Sequence, residues 1–152
     1  YFRKGIDVIG VVDCISPHII RDIEALAESG DIVEKKGGGM DYSGGQTLIP
    51  GAEIETHESS GGSSHSLCFF PTLKQLKEFA AEMSKHVKNM EAFSSMSRLN
   101  GLELFNITDY HGGIYMPAHA FTPYKSFYGS SCSSLLEIFD EKSFFYDHPT
   151  IK

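Results

Sequence analysis

The chain has 152 residues, with 13 lysines and arginines against 20 aspartates and glutamates, so its formal net charge at pH 7 is −7. A hydrophobic content of 41% excludes general disorder, and no apolar run reaches the roughly 18 residues of a membrane span. The acidic balance argues against a surface that coats nucleic acid as a whole, but it is compatible with a local basic groove.

The three cysteines, Cys14, Cys68 and Cys132, form no CxxC pair and are odd in number. This usage is typical of reduced thiols, so we expect a cytoplasmic protein. The chain begins with a tyrosine, and its first methionine is Met40. We therefore expect the chain to be an interior piece of a longer protein.

The first third of the chain alternates apolar and glycine-rich segments. Residues 6–13 are apolar and β-branched, which predicts a strand buried on both faces and ending at Asp13. Ser16 and Pro17 predict the start of a helix that Gly30 ends. Five glycines within residues 32–48 predict an irregular hairpin.

Two short strands are predicted next, at residues 52–56 and 66–70. Because side chains alternate along a strand, Glu53, Glu55 and His57 share one face of the first strand. The Ser/Gly loop between the strands is shorter than the dozen or more residues of a parallel crossover. The two strands are therefore expected to be antiparallel neighbours, so that the start of the second lies beside the end of the first.

The rest of the chain returns to helical patterns and ends in an aromatic region. A strand at 114–118 delivers His119 at its end. We find no internal repeat and no linker, so these elements are expected to form one α/β unit. The other predicted elements are an amphipathic helix at 73–88 capped by Thr72, a helix at 101–110 capped by Asn100, a loop at 121–131 and a short helix at 134–139.

Four side chains with ligand atoms fall at one predicted edge of the sheet. Asp13, Glu53 and His119 follow or end strands, and the carboxyl ends of strands carry the sites of α/β folds. His65 opens its strand, and antiparallel pairing brings it to the same edge. Two imidazoles with carboxylates suit divalent metals such as Zn²⁺ or Mn²⁺.

Each of these residues also has a structural interpretation that the sequence leaves open. His119 fits a strand-end histidine bonded to the backbone, and Glu53 fits a solvent-facing residue of an edge strand. His65 fits a surface loop, and Asp13 fits a cap for the loop that follows it. Glu53 carries most weight for a site, because carboxylates are seldom buried in an apolar strand without a partner.

Four segments together resemble a known family. KGIDVIGVVDC, GAEIET, SHSLCFFPTLKQLKEF and GGIYMPAHAFTPYKSFYG are similar to the endonuclease Q family of PHP-domain phosphoesterases. The most specific stretch is PAHAFTPYKSFYG, in which a proline, a histidine, a TP step and an aromatic-rich end occur in fixed order. The resemblance covers almost the whole chain.

The resemblance implies an α/β fold that is part of a distorted (β/α)₇ TIM-like barrel of PHP type, incomplete at both ends. Residues 1–152 would form one partial catalytic domain, whose first strand with an HxH motif and whose last strands lie outside the chain. It further implies two or three divalent ions (Zn, Mn or Mg) and a hydrolase that nicks DNA 5′ to deaminated bases or abasic sites in DNA repair. A piece with half of the metal site is expected to be inactive alone.

The resemblance also assigns roles to individual residues. Glu53 matches the bridging carboxylate, His119 the histidine of the PAH motif, His65 the histidine that opens its strand and Asp13 an earlier aspartate, so all four are expected metal ligands. Glu53 and His119 are the expected catalytic residues. Most PHP domains have histidine directly after that aspartate, whereas this chain has Cys14, a weak zinc candidate.

The loop after His119 is the predicted substrate contact. Lys125 could bind a phosphate, and Tyr124, Phe127 and Tyr128 could stack on an unpaired or flipped base. These aromatic residues could instead cover the rim of the barrel. Two other functions also stay open: a PHP-type phosphatase acting on a small phosphate ester, and a degenerate PHP module without catalysis.

Overall fold

The computed structural model describes residues 5–88, 90–91 and 95–139. Within these ranges the chain forms seven strands and three α-helices, followed by a short π-helix and a 3₁₀ turn. In chain order they are β1 (Val8–Val11), α1 (Pro17–Ser29), β2 (Ile32–Glu34), β3 (Met40–Tyr42), β4 (Thr47–His57), β5 (Ser63–Phe69), α2 (Leu73–Met83), β6 (Ser95–Met96), α3 (Gly101–Tyr110), β7 (Ile114–Pro117), the π-helix Phe127–Ser131 and the 3₁₀ turn Leu135–Glu137.

The strands form one mixed sheet that is mostly antiparallel. Its main path runs β2-β3-β4-β5-β7, with every neighbouring pair antiparallel, while β1 and β6 pair with β4 in parallel. The expected parallel (β/α)₇ TIM-like barrel is therefore wrong for this chain. Hairpins at 35–39 and 58–62 are too short for helical crossovers, and β2 and β7 end an open path in the described residues.

Strand β4 is the longest strand of this sheet and joins its two parts. Its first residues, Thr47–Pro50, pair with β1, and its residues from Gly51 to His57 pair with β5. The sequence predicted only residues 52–56 as a strand. Strand β4 therefore pairs with both β1 and β5 without a break, and this continuous strand positions the site described below.

The burial of β1 differs from the prediction. A strand covered on both faces was expected, but β1 alternates between exposed and half-buried residues, and Val8 is exposed. In the described part of the chain, β1 pairs with β4 alone. Strand β1 is therefore an outer strand of the described sheet despite its apolar sequence.

The core lies between the sheet and helices α2 and α3. Helix α2 buries one side toward it and ends at Met83, five positions before the predicted end at Lys88. Helix α3 has the predicted bounds, and the Asn100 side chain accepts from Glu103 N–H in a capping box. Burial of large aromatic side chains supplies much of the apolar contact: Phe70, Phe79, Phe105, Tyr115, Phe127 and Phe139 are all at most 2% exposed.

The remaining predicted elements are found with adjusted bounds. Helix α1 spans Pro17–Ser29 and is capped by Gly30, which adopts the left-handed conformation with a φ of 81°. The two-residue strand β6 precedes α3 and was not predicted, and the predicted helix at 134–139 is the 3₁₀ turn. In the ranges that the structure describes, no helix is long and apolar enough to cross a membrane.

Candidate metal centre

The candidate site is formed by side chains of the neighbouring strands β4 and β5 and by the residue that follows β7. Glu53 lies in β4, and the antiparallel register sets Glu55 opposite His65 of β5. Strand β7 pairs with β5 on the other side, and Ala118 N–H donates to His65 O at 2.9 Å. This last bond ends β7 beside His65, so the next residue, His119, lies over the same point.

The side chains of these residues converge. Glu53 Oε1 lies 2.7 Å from His65 Nδ1 and 3.8 Å from His119 Nε2. The two imidazole rings lie edge to face, with centroids 5.3 Å apart. All three ligand atoms fall within 4.8 Å of one another. The structure therefore brings together three of the four predicted ligands.

This geometry fits a divalent cation. Ligand atoms that surround tetrahedral zinc at about 2.0–2.1 Å lie about 3.3 Å from each other, a value between the two distances from Glu53 Oε1. Two histidines with one glutamate are also a ligand set of zinc hydrolases that keep an open position. His119 is 38% exposed, so that side of the group faces solvent.

Asp13 lies apart from this group of ligand atoms. It follows β1. The next residue, Cys14, donates its N–H to Gly51 O of β4 at 2.9 Å, and Gly51 lies two positions before Glu53. The carboxylate of Asp13 is not part of the three-residue group. Its role as a ligand stays a prediction.

Cys14 is a poor ligand in this conformation. Its side chain is fully buried, and its thiol donates to Val11 O at 3.1 Å. Burial raises the pKa of Cys14 to about 11, and the nearby Asp13 carboxylate adds a smaller increase. A backbone hydrogen bond at Gly51 acts in the opposite direction but does not outweigh them. Since the thiolate is the form that binds zinc, Cys14 is best explained as a core residue.

A buried carboxylate lies behind His65. Glu55 is on the same face of β4 as Glu53, and its Oε2 lies 3.2 Å from His65 Nε2 and 2.9 Å from Lys125 Nζ. Burial acts to raise the pKa of Glu55, but hydrogen bonds from Lys125 and His65 outweigh it and hold this pKa below its usual value of 4.5. His57, predicted on the same face, is exposed.

Lys125 contacts His65 as well as Glu55. Its backbone oxygen accepts from His65 N–H at 3.0 Å, while its ammonium group donates to Glu55. The predicted contact of Lys125 with a phosphate stays a prediction. The pair with Glu55 was not foreseen, because no spacing in the sequence indicates that residues 55 and 125 meet.

The aromatic residues of the 121–131 loop divide into two sets. Tyr124 is 82% exposed and can offer a face to a ligand, whereas Phe127 is 0% exposed and packs against Phe139 in the core. In this conformation Phe127 therefore presents no face to a base, since buried contacts take up its ring. Phe121, which the sequence analysis did not single out, stacks on Tyr128 at 5.0 Å between centroids and is also exposed.

Backbone strain coincides with the site. Within the described ranges, the non-glycine residues with positive φ are Asp13 (69°), His119 (32°) and Lys125 (51°). Each is one of the predicted site residues. Such conformations cost about 1–3 kcal/mol each and tend to cluster at functional sites, where surrounding structure holds them.

Comparisons with known proteins give one relative in sequence and two solved structures with a similar fold. No family model matches the chain. It is 41% identical, over 91% of its length, to the uncharacterized protein YqxK of Bacillus subtilis strain 168, of which it covers 36%. The chain thus spans about a third of this relative.

Two solved structures are similar to the fold. The lesion-specific endonuclease PfuEndoQ of Pyrococcus furiosus matches over 90% of this chain and 32% of its own, with a TM-score of 0.73 and 25% identity. An endonuclease Q in complex with a 27-mer duplex that has an abasic lesion at the active site matches over 91% and 32%, with a TM-score of 0.74 and 26% identity. The fold therefore resembles part of endonuclease Q.

Proposed function

We propose that the protein containing this chain is a metal-dependent DNA endonuclease that nicks one strand on the 5′ side of deaminated bases or abasic sites. The observation that carries the proposal is the convergence of Glu53, His65 and His119, three ligand-type side chains from three separate segments. Two imidazoles and a carboxylate whose ligand atoms lie within 4.8 Å of one another form a set that a shared divalent cation would join.

The relatives support the substrate class. One structural relative is a lesion-specific endonuclease, and another was crystallised with an abasic lesion at its active site. This chain covers about a third of each. The remaining length would supply further ligands and most of the contact with DNA, which is consistent with the net charge of −7 here.

The residues have distinct tasks in this proposal. Glu53, His65 and His119 would hold a divalent ion, whose chemistry when bound is the stabilisation of charge on a phosphoryl oxygen and the activation of water. The exposed ring of Tyr124 would stack on an unpaired base next to the cleaved bond, a contact worth about 1–3 kcal/mol. Tyr124 directly precedes Lys125, whose backbone oxygen accepts a hydrogen bond from His65 N–H, so its ring lies in the segment next to His65.

The openness of the site favours a polymer over a small ester as substrate. His119 and Tyr124 are both exposed, and Phe121 lies open beside Tyr128. A small phosphate ester is normally enclosed by its pocket. An exposed metal ligand, followed along the chain by exposed aromatic rings, instead suits a strand that runs across the surface.

The proposal is tested with the full-length protein and four substrates: duplexes with one abasic site, one uracil or no lesion, and p-nitrophenyl phosphate. We expect a nick 5′ to each lesion, little cleavage of the undamaged duplex and little hydrolysis of the ester. A chelator should abolish nicking, and added Mn²⁺, Zn²⁺ or Mg²⁺ should restore it. Efficient ester hydrolysis without nicking would support the phosphatase instead, and nicking that survives chelation would refute the metal site.

A further inference from the structure

The imidazole of His65 lies between two carboxylates. Its Nδ1 is 2.7 Å from Glu53 Oε1, and its Nε2 is 3.2 Å from Glu55 Oε2. The two glutamates are two positions apart on one face of β4, directly beside His65 in the antiparallel register. Their surroundings differ: the side chain of Glu53 is partly open and next to His119, whereas that of Glu55 is only 5% exposed.

We propose that Glu55 and Lys125 form a positioning pair that holds His65 in the orientation and tautomer needed to bind the metal ion. This inference rests on the metal centre of the proposed function and extends it to two residues that touch neither the ion nor the substrate. It gives Lys125 a different task from the phosphate contact that its sequence context predicts.

The geometry assigns the two nitrogens of His65. Only Nδ1 lies beside Glu53 Oε1, the atom that also faces His119 Nε2, so Nδ1 is the nitrogen that joins the ligand group. The neutral imidazole then carries its hydrogen on Nε2, which donates to Glu55. A carboxylate bound to the second nitrogen fixes the ring of a metal-ligating histidine and makes it a stronger ligand.

Lys125 is what holds Glu55 in place. Its ammonium donates to the same oxygen, Oε2, that faces His65, at 2.9 Å. Its backbone oxygen accepts from the backbone N–H of His65. Lys125 therefore contacts the backbone of His65 directly and its ring indirectly, through Glu55. A charged partner also offsets the cost of burying the Glu55 carboxylate.

The test measures Zn²⁺ affinity, by competition with a chelating dye, on the full-length protein with Glu55→Leu, Lys125→Met and both changes together. Loss of an outer partner typically weakens metal binding about 10–100-fold, so we expect a loss in this range for Glu55→Leu. Glu55→Gln keeps an acceptor oxygen and should retain most of the affinity. The double variant should be no weaker than Glu55→Leu, because both residues act through one hydrogen bond.

A second readout reports the histidine itself. With ¹⁵N-labelled histidine and bound Zn²⁺, the wild-type His65 should carry its hydrogen on Nε2, and Glu55→Leu should lose this single tautomer. A hydrogen on Nδ1, or an unchanged Zn²⁺ affinity in Glu55→Leu, would overturn the proposal. This readout works even if a variant is less stable, because it can be taken from the wild type alone.

Two controls separate this inference from the proposed function. Lys35→Met removes the lysine of another ion pair, 3.0 Å from Asp41 in the β2–β3 hairpin, and should leave affinity unchanged. Glu53→Gln removes a ligand. If Glu53→Gln weakens Zn²⁺ binding and Glu55→Leu does not, only the positioning pair is refuted; if neither does, the metal centre is refuted with it.

Discussion

Glu53→Gln in the full-length protein is expected to bring nicking of a lesion-containing duplex below detection and to weaken Zn²⁺ binding by more than about 100-fold, the upper end of what loss of an outer partner costs. Glu53 supplies the one carboxylate of the three-residue group, and its Oε1 faces both histidines. Glutamine has nearly the same size but no charge, so the change removes the anionic ligand and leaves the packing of β4 in place.

The matched control is Glu28→Gln, which makes the same substitution on the exposed surface of helix α1. It should leave nicking, Zn²⁺ affinity and thermal unfolding at wild-type values. Thermal unfolding of Glu53→Gln should also stay near the wild-type temperature without metal. Unchanged nicking by Glu53→Gln would remove this residue from the mechanism and leave the proposed function without its central observation.

Gly62→Ala is expected to destabilise the protein and to weaken metal binding at the same time. A β-carbon at residue 62 would lie 1.9 Å from Ser130 O and 2.6 Å from the Ser131 Cα, so backbone must move. The β4–β5 turn is bonded there to the π-helix, where Ser130 Oγ donates to Ser63 O at 2.8 Å. The displaced π-helix begins two positions after Lys125, in the segment that starts with His119.

The expected loss of unfolding free energy is about 1–3 kcal/mol, as for other overpacked sites, and chemical denaturation measures it. Zn²⁺ affinity should fall as well, because the segment that carries His119 shifts. Gly37→Ala is the control: nothing lies within 4 Å of its added β-carbon, so both quantities should stay nearly constant. A Gly62→Ala protein with wild-type stability would show that the turn and the π-helix are not tightly packed.

The convergence of Glu53, His65 and His119 could be predicted from the sequence, whereas the arrangement of the strands could not. The short connection before His65 indicated an antiparallel neighbour, and alternation along β4 placed Glu53 on a defined face. These two local rules bring Glu53 and His65 together, and the residue after a strand end adds His119. Such rules work because each depends on loop length or on the two-residue period of a strand.

The architecture could not be obtained in the same way. Pairing between β1 and β4, or between β5 and β7, joins strands far apart in the chain, and no local pattern states it. The family resemblance implies a barrel, whereas the described chain forms an open sheet. Burial of Phe127 depends on the same long-range packing, which is why the sequence left open whether its ring stacks on a base or covers other residues.

The left-handed backbone at His119 and Lys125 sets thermal stability against the proposed metal centre. At these positions glycine would relax the main chain, because a residue without a β-carbon adopts φ values of 32° and 51° at lower cost. The same exchange would remove either His119, a predicted ligand, or Lys125, the proposed positioning residue. Selection for heat resistance alone would therefore erode this centre first, and an engineered variant meant to stay active should gain its stability at other positions.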